Sequence, residues 1–135
     1  MTPEALNNLI LNAKLGSARK DAQIDSCGPF AAALHDILKM NGMRSSIWSA
    51  EMHWEYFSKP EWGHYVVRYI GIAYDSLGFF DKKIICKREK IKSNFCLVMR
   101  RMSRQGIFED DEINMYNFFY SALAKQMKSY LGKHK

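Results

Sequence analysis

The sequence predicts an α+β domain in which a helix beginning at Cys27 packs on a small antiparallel sheet and C-terminal helices flank the pair. Three observations point there. Phe30, Ala33, Leu34, Ile37 and Leu38 recur at helical spacing and stop at Asn41-Gly42, a good helix end. The apolar run from Tyr65 to Ile72 reads as a strand, with Gly71 turning it into a second one, Ile72-Ala73-Tyr74-Asp75. Near the C-terminus, Ile113, Tyr116, Phe119, Tyr120, Leu123, Met127 and Leu131 form one apolar stripe. A chain of 135 residues holds one core but not two comfortable domains, and no Pro/Gly/Ser-rich linker divides it, so residues 1–135 are expected to form a single unit.

In chain order, Thr2-Pro3-Glu4-Ala5-Leu6 opens a helix that runs to about Lys14, with Thr2 as cap and Leu6, Ile10 and Leu11 on one face. It is expected to pack beside the helix from Cys27. That helix takes Asp25 or Ser26 as its cap and Pro29 in its first turn, where a missing N–H costs nothing. Arg44 to Trp54 reads as a strand. Ser58-Lys59-Pro60-Glu61 then makes a loop into Trp62, which is read as a core aromatic rather than a cleft wall. Phe79 to Lys135 reads as helical throughout. Glu109-Asp110-Asp111-Glu112 supplies acidic capping for the last helix, whose stripe is expected to cover the sheet, and Lys133-His134-Lys135 ends as a frayed tail.

Composition narrows the function. Cys27, Cys86 and Cys96 are an odd number without metal-ligand spacing, which argues against a disulfide scaffold and against a zinc site. Cys86 and Cys96 fall in sequence that reads as helical and are expected in the core. No cofactor fingerprint is present: no phosphate-cradling Gly-rich loop, nucleotide motif or EF-hand. Neither a signal peptide nor 18 consecutive apolar residues occurs, so a cytoplasmic protein with no membrane span is expected, unless it is exported by a non-classical route. The net charge of +6 gathers at Lys82, Lys83, Lys87, Arg88, Lys90 and Lys92, with Arg100, Arg101 and Arg104 beyond. Such a field can attract nucleic acid, acidic protein or anionic polymer, but no DNA- or RNA-binding signature accompanies it and a solvated helix face explains it better.

The chemistry centres on Cys27. Only the thiolate attacks well, and a helix N-terminus with its unpaired N–H groups and positive dipole end favours it. The same N–H groups suit a developing oxyanion. Taken singly, Cys27 reads as a small buried hydrophobe, His64 as a strand-end surface histidine and Asp75 as the opening of the turn Asp75-Ser76-Leu77-Gly78. Taken together, a Cys at a helix start, a His at the start of a hairpin and an Asp on its second strand follow the nucleophile, base and orienter logic of a triad. In such a hairpin His64 and Asp75 are expected roughly opposite each other near the open end. His53 is the alternative base, and His35 is expected to be exposed.

These residues carry a resemblance. Ser26-Cys27-Gly28-x-Phe30-Ala31-x-x-Leu34, Gly63-His64-x-Val66-Val67 and Tyr74-Asp75 resemble the papain-like cysteine superfamily, with the small NlpC/P60 and the transglutaminase-like or arylamine acetyltransferase-like domains nearest. Asp75 in third place fits the transglutaminase-like pattern better, and Ser26 stands where NlpC/P60 domains usually have Asp. The resemblance implies a papain-like core with Cys27 as acyl-accepting nucleophile, His64 as its base and Asp75 orienting the ring. A cysteine peptidase, amidase or acyltransferase acting on a peptide, amide or thioester would follow. Because the superfamily includes members that only bind, an interaction or inhibitor protein on the same scaffold, docking a protein partner through its C-terminal helices, is the first alternative. A basic nucleic-acid-binding module is the second.

Overall fold

The structure, a computed structural model, describes residues 1–54 and 62–134, with the backbone alone at Trp62. The Ser58–Glu61 loop and the surroundings of the Trp62 side chain lie outside the described residues. Five strands form one antiparallel sheet: β1 (Ser46–His53), β2 (Trp62–Tyr69), β3 (Ile72–Asp75), β4 (Gly78–Phe80) and β5 (Cys96–Met102), in the order β4-β3-β2-β1-β5. The helices are α1 (Pro3–Asn12), α2 (Ala18–Asp21), α3 (Cys27–Met40), α4 (Lys82–Glu89) and α5 (Ile113–Lys133), so the fold is α+β.

Period-two alternation divides the apolar side chains between the two faces of the sheet. Ile47, Val67, Tyr69 and Tyr74 join the cluster that holds α1, α3 and α5. Ala50, Val66 and Phe80 join a smaller one with Ile85 of α4 and Phe95. Within the first cluster α3 is apolar almost all round, as a helix with the sheet on one side and α5 on the other must be. Its Ala31, Ala32 and Ala33 are completely buried, and such small side chains let the sheet and α5 approach its backbone together.

Thr2 caps α1 as expected, its hydroxyl accepting from the Ala5 N–H at 3.1 Å. Three expectations change. First, α1 packs against α5 and β4 rather than along α3, and the Asn7 side-chain oxygen accepts from the Phe79 N–H at 2.9 Å. Second, the stripe of α5 covers α3 instead of the sheet. Phe119 meets Phe30 edge to face at 5.3 Å, while Ile113 and Leu131 at the two ends of the stripe stay exposed.

Third, residues 79–135 are not continuous helix, because β4 and β5 fall within them. In β5, Leu97 and Met99 turn toward Met52 and Ala50 of β1 while Cys96, Val98 and Arg100 point away, a period of two that the interspersed arginines hide. Cys96 is therefore an exposed strand residue, and Cys86 is half-buried on α4. Among the described elements β5 packs most closely on β1.

The β2–β3 turn is closed by Ile70 and Gly71, both left-handed at φ of 52° and 73°. Two positive φ values match a type I′ turn, which Gly71 adopts freely and a β-branched Ile70 does not. Among the described residues no helix is long and apolar enough to cross a membrane, and no group of His, Cys, Asp and Glu is placed to hold a metal ion.

Candidate active site

The site is assembled where β3 stops short. β3 pairs with β2 only from Val67 to Tyr69, so Trp62 to Tyr65 run past its end. Extending that register puts Asp75 beside Val66 and makes His64 its diagonal neighbour on the same face, a geometry that long side chains span. The two are thus diagonal rather than directly opposite. The His64 Nε2 meets the Asp75 Oδ2 at 2.9 Å, and with 2% and 1% exposure the two residues are sealed from solvent. The His64 ring also lies 5.7 Å from that of Phe80.

Asp75 is fully engaged. Its Oδ1 accepts the Leu77 N–H at 3.0 Å, so it does open the β3–β4 turn while its other oxygen holds the imidazole. That second oxygen also accepts from Nη1 of Arg88, on α4, at 2.6 Å, and Nη2 of Arg88 donates to the Phe79 carbonyl at 2.9 Å. Burial alone would raise the Asp75 pKa, but hydrogen bonds from His64 and Arg88, with their charges, hold the carboxyl below the usual carboxylate range. Arg88 was hidden in the sequence among the lysines of the basic cluster. Its only signal is that it is the one arginine of that run, the side chain whose fork suits a carboxylate.

Cys27 is the first residue of α3 and is half-buried. Its thiol is close enough to His64 to raise the pKa of the imidazole. Burial pulls the His64 pKa down, but hydrogen bonds to Asp75 and Cys27 and the charges of both outweigh it, and the group is pushed up to about 9. His64 is accordingly an imidazolium at neutral pH.

Local backbone geometry presents the sulfur. Ser26 takes the N-cap position without a side-chain cap bond, and its buried Oγ has no hydrogen-bond partner among the described residues. The chain before it is held by backbone instead, Asp25 and Ser26 both donating to the Asp21 carbonyl at 2.9 and 3.0 Å. The first bond of α3 runs from the Phe30 N–H to the Ser26 carbonyl at 3.1 Å, so the N–H groups of Cys27 and Gly28 precede the helical ladder. Gly28 admits a close backbone: a Cβ there would meet the Ile107 carbonyl oxygen at 2.5 Å.

A clamp fixes the two halves of the site to each other. Arg19 donates from Nη1 to the carbonyls of Ile10 at 3.2 Å and Ser76 at 2.5 Å, and from Nη2 to those of Leu11 at 3.3 Å and Ala13 at 2.7 Å. The Ser76 hydroxyl donates back to the Arg19 carbonyl at 2.7 Å and accepts from Gln23 at 2.8 Å. The segment leading to Cys27 is thereby tied to the turn that follows Asp75.

The other histidines are engaged elsewhere. His53 Nε2 meets the Glu51 carboxylate at 3.2 Å, and of the two candidate bases the one that meets Cys27 is His64. His35 is half-buried rather than exposed, its Nδ1 2.8 Å from the Ser45 hydroxyl. An apolar groove of about 590 Å³ over β3, β4 and α4 is lined by other residues, among them Ile72, Phe79, Ile84 and Met99, with Arg68 and Lys82. No protein-family model, curated protein or solved structure matches this chain.

Proposed function

We propose that the chain is a thiol-dependent acyl-transfer enzyme, a cysteine peptidase or amidase of the papain-like kind, with Cys27 as nucleophile, His64 as acid and base, and Asp75 as the residue that orients the ring. One observation carries the reading: a half-buried thiol at a helix N-terminus meets an imidazole whose far side is bonded at 2.9 Å to a buried carboxylate. With Nε2 committed to Asp75, proton exchange with Cys27 falls to Nδ1. With the Cys27 proton already on His64, the thiolate attacks the carbonyl carbon of a peptide, amide or thioester, and the carbonyl oxygen becomes an oxyanion. The N–H groups at the head of α3 are placed to receive that charge. Collapse of the intermediate breaks the bond to the leaving group, which takes the His64 proton, and leaves Cys27 acylated. Neutral His64 then takes a proton from water or an amine acceptor, which attacks the thioester and frees the sulfur. Water as acceptor makes a hydrolase and an amine makes a transferase.

The test is the rate of Cys27 alkylation by iodoacetamide between pH 5 and pH 10, read by peptide mass spectrometry in wild type, His64→Ala and Asp75→Ala. Cys27 is expected to react faster than exposed Cys96 near neutral pH, and His64→Ala to remove the advantage. Equal reactivity of Cys27 in all three proteins overturns the reading.

A second reading, an interaction module on the same scaffold, is favoured by the apolar groove over β3, β4 and α4, which shares none of the three residues. It predicts that Cys27→Ala leaves the protein's biological effect intact.

A further inference from the structure

Asp75 Oδ2 serves two cations at once, His64 Nε2 at 2.9 Å and Arg88 Nη1 at 2.6 Å, and the carboxylate that receives both is 1% exposed. A buried carboxylate with one cationic partner would give that partner its whole charge. Here the charge is divided. Arg88 is itself held in place: its second nitrogen is bonded to the Phe79 carbonyl at 2.9 Å, Nη1 also lies 3.4 Å from the Gln23 side-chain oxygen, and its side chain is 17% exposed. It reaches the site from α4, an element joined to the sheet through buried Ile85 and capped by Asp81, whose Oδ1 accepts the Ile84 N–H at 2.7 Å.

We infer that Arg88 is a positioning residue of this site, which sets how firmly His64 keeps its proton by sharing the Asp75 oxygen to which the imidazole is bonded. The inference rests on the acyl-transfer reading. An imidazolium that holds its proton too firmly is a poor acid toward the leaving group and never becomes the base that the second half of the reaction needs. Among the described residues, the titratable and charged groups that face the His64–Asp75 pair are Cys27 from α3 and Arg88 from α4, with the neutral Gln23 amide beside Arg88. Of these, only Arg88 adds a fixed positive charge, and a nearby like charge disfavours the imidazolium. By making α4 part of the site's electrostatics, Arg88 also explains why a buried carboxylate stays ionised with a histidine that must give up its charge in each cycle.

The experiment is an NMR titration of the His64 ring nitrogens in wild type, Arg88→Gln and Arg88→Lys, with the iodoacetamide profile of each. Glutamine keeps an N–H donor for Asp75 and removes only the charge, so Arg88→Gln is expected to raise the His64 midpoint by about one pH unit. Lysine keeps the charge on a single-pronged head and is expected to raise it by less than half as much. A merely structural arginine moves neither titration. An unchanged midpoint in Arg88→Gln, or no rise in Arg88→Lys should the glutamine variant fail to fold, overturns the inference. Failure of the underlying reading is separate: wild-type alkylation that ignores His64 removes the enzyme, whatever Arg88 does to the titration.

Discussion

Asp75 holds His64 on a diagonal of the β2–β3 hairpin, at 2.9 Å and out of reach of solvent. Burial alone would push the imidazole below 6.5, so the partners set its value. His64 is expected to titrate near 9 in wild type, and Asp75→Asn to bring it below 6.5, where burial dominates. NMR of the imidazole carbons checks both.

The same pair makes stability depend on pH. The folded pKa is raised above the unfolded 6.5, so the interaction stabilises in full below pH 6.5 and is lost as pH rises through about 9. The loss is expected to be on the order of 3 kcal/mol. Urea unfolding at pH 6 and pH 10 measures it, and in Asp75→Asn the decline across this window should vanish.

Gly28→Ala sets a methyl group against the Ile107 carbonyl oxygen at a separation no real Cβ shows. The gain in helix propensity is smaller than the displacement it forces. A net loss of about 1–3 kcal/mol is expected in urea unfolding. Because residue 28 follows Cys27, the His64-dependent part of Cys27 alkylation should fall as well.

Ile70→Asn places a residue that tolerates the left-handed region where a β-branched one now stands. The Asn-Gly pair that results is the preferred sequence for a type I′ turn. The variant is expected to be more stable by about 1 kcal/mol, a rise in Tm of roughly 4 °C by calorimetry. Ile70 is exposed at the end of the hairpin remote from His64, so Cys27 alkylation should not change.

Arg19→Met strips hydrogen bonds from the carbonyls of Ile10, Leu11, Ala13 and Ser76. Water replaces the arginine at the more exposed ones, so the expected cost is about 2–4 kcal/mol rather than the sum of four charged bonds. Chemical denaturation gives the cost. Alkylation of Cys27 in the folded variant reports whether the clamp also aligns the thiol with His64.

Cys27, His64 and Asp75 were legible in the sequence because each stands beside a local signal: a helix start, a strand start and the far side of a two-residue turn. Their meeting was less so. The diagonal geometry depends on register, and the register is set by the Ile70-Gly71 turn that the periodicity only locates. β5 was unreadable because alternation among Leu97, Val98 and Met99 is shared between an exposed and a half-buried face and then broken by Arg100 and Arg101. Arg88 was out of reach for another reason: nothing in a run of basic residues says which one turns inward toward a carboxylate on another element. The destination of the α5 stripe was equally hidden, since an apolar face gives its own direction and not what lies opposite.

The outer edge of β5 has a consequence beyond the site. A seven-residue strand at the margin of a sheet offers a row of backbone donors and acceptors to any other extended chain. Here Arg100 and Arg101 stand exposed on opposite faces of that strand, Arg100 partly neutralised by Glu51 and still 64% open. Two copies brought edge to edge in an antiparallel register centred on these residues would set the arginines against each other. Charge repulsion at the margin opposes edge-to-edge pairing, and replacing both arginines would leave this strand more open to it.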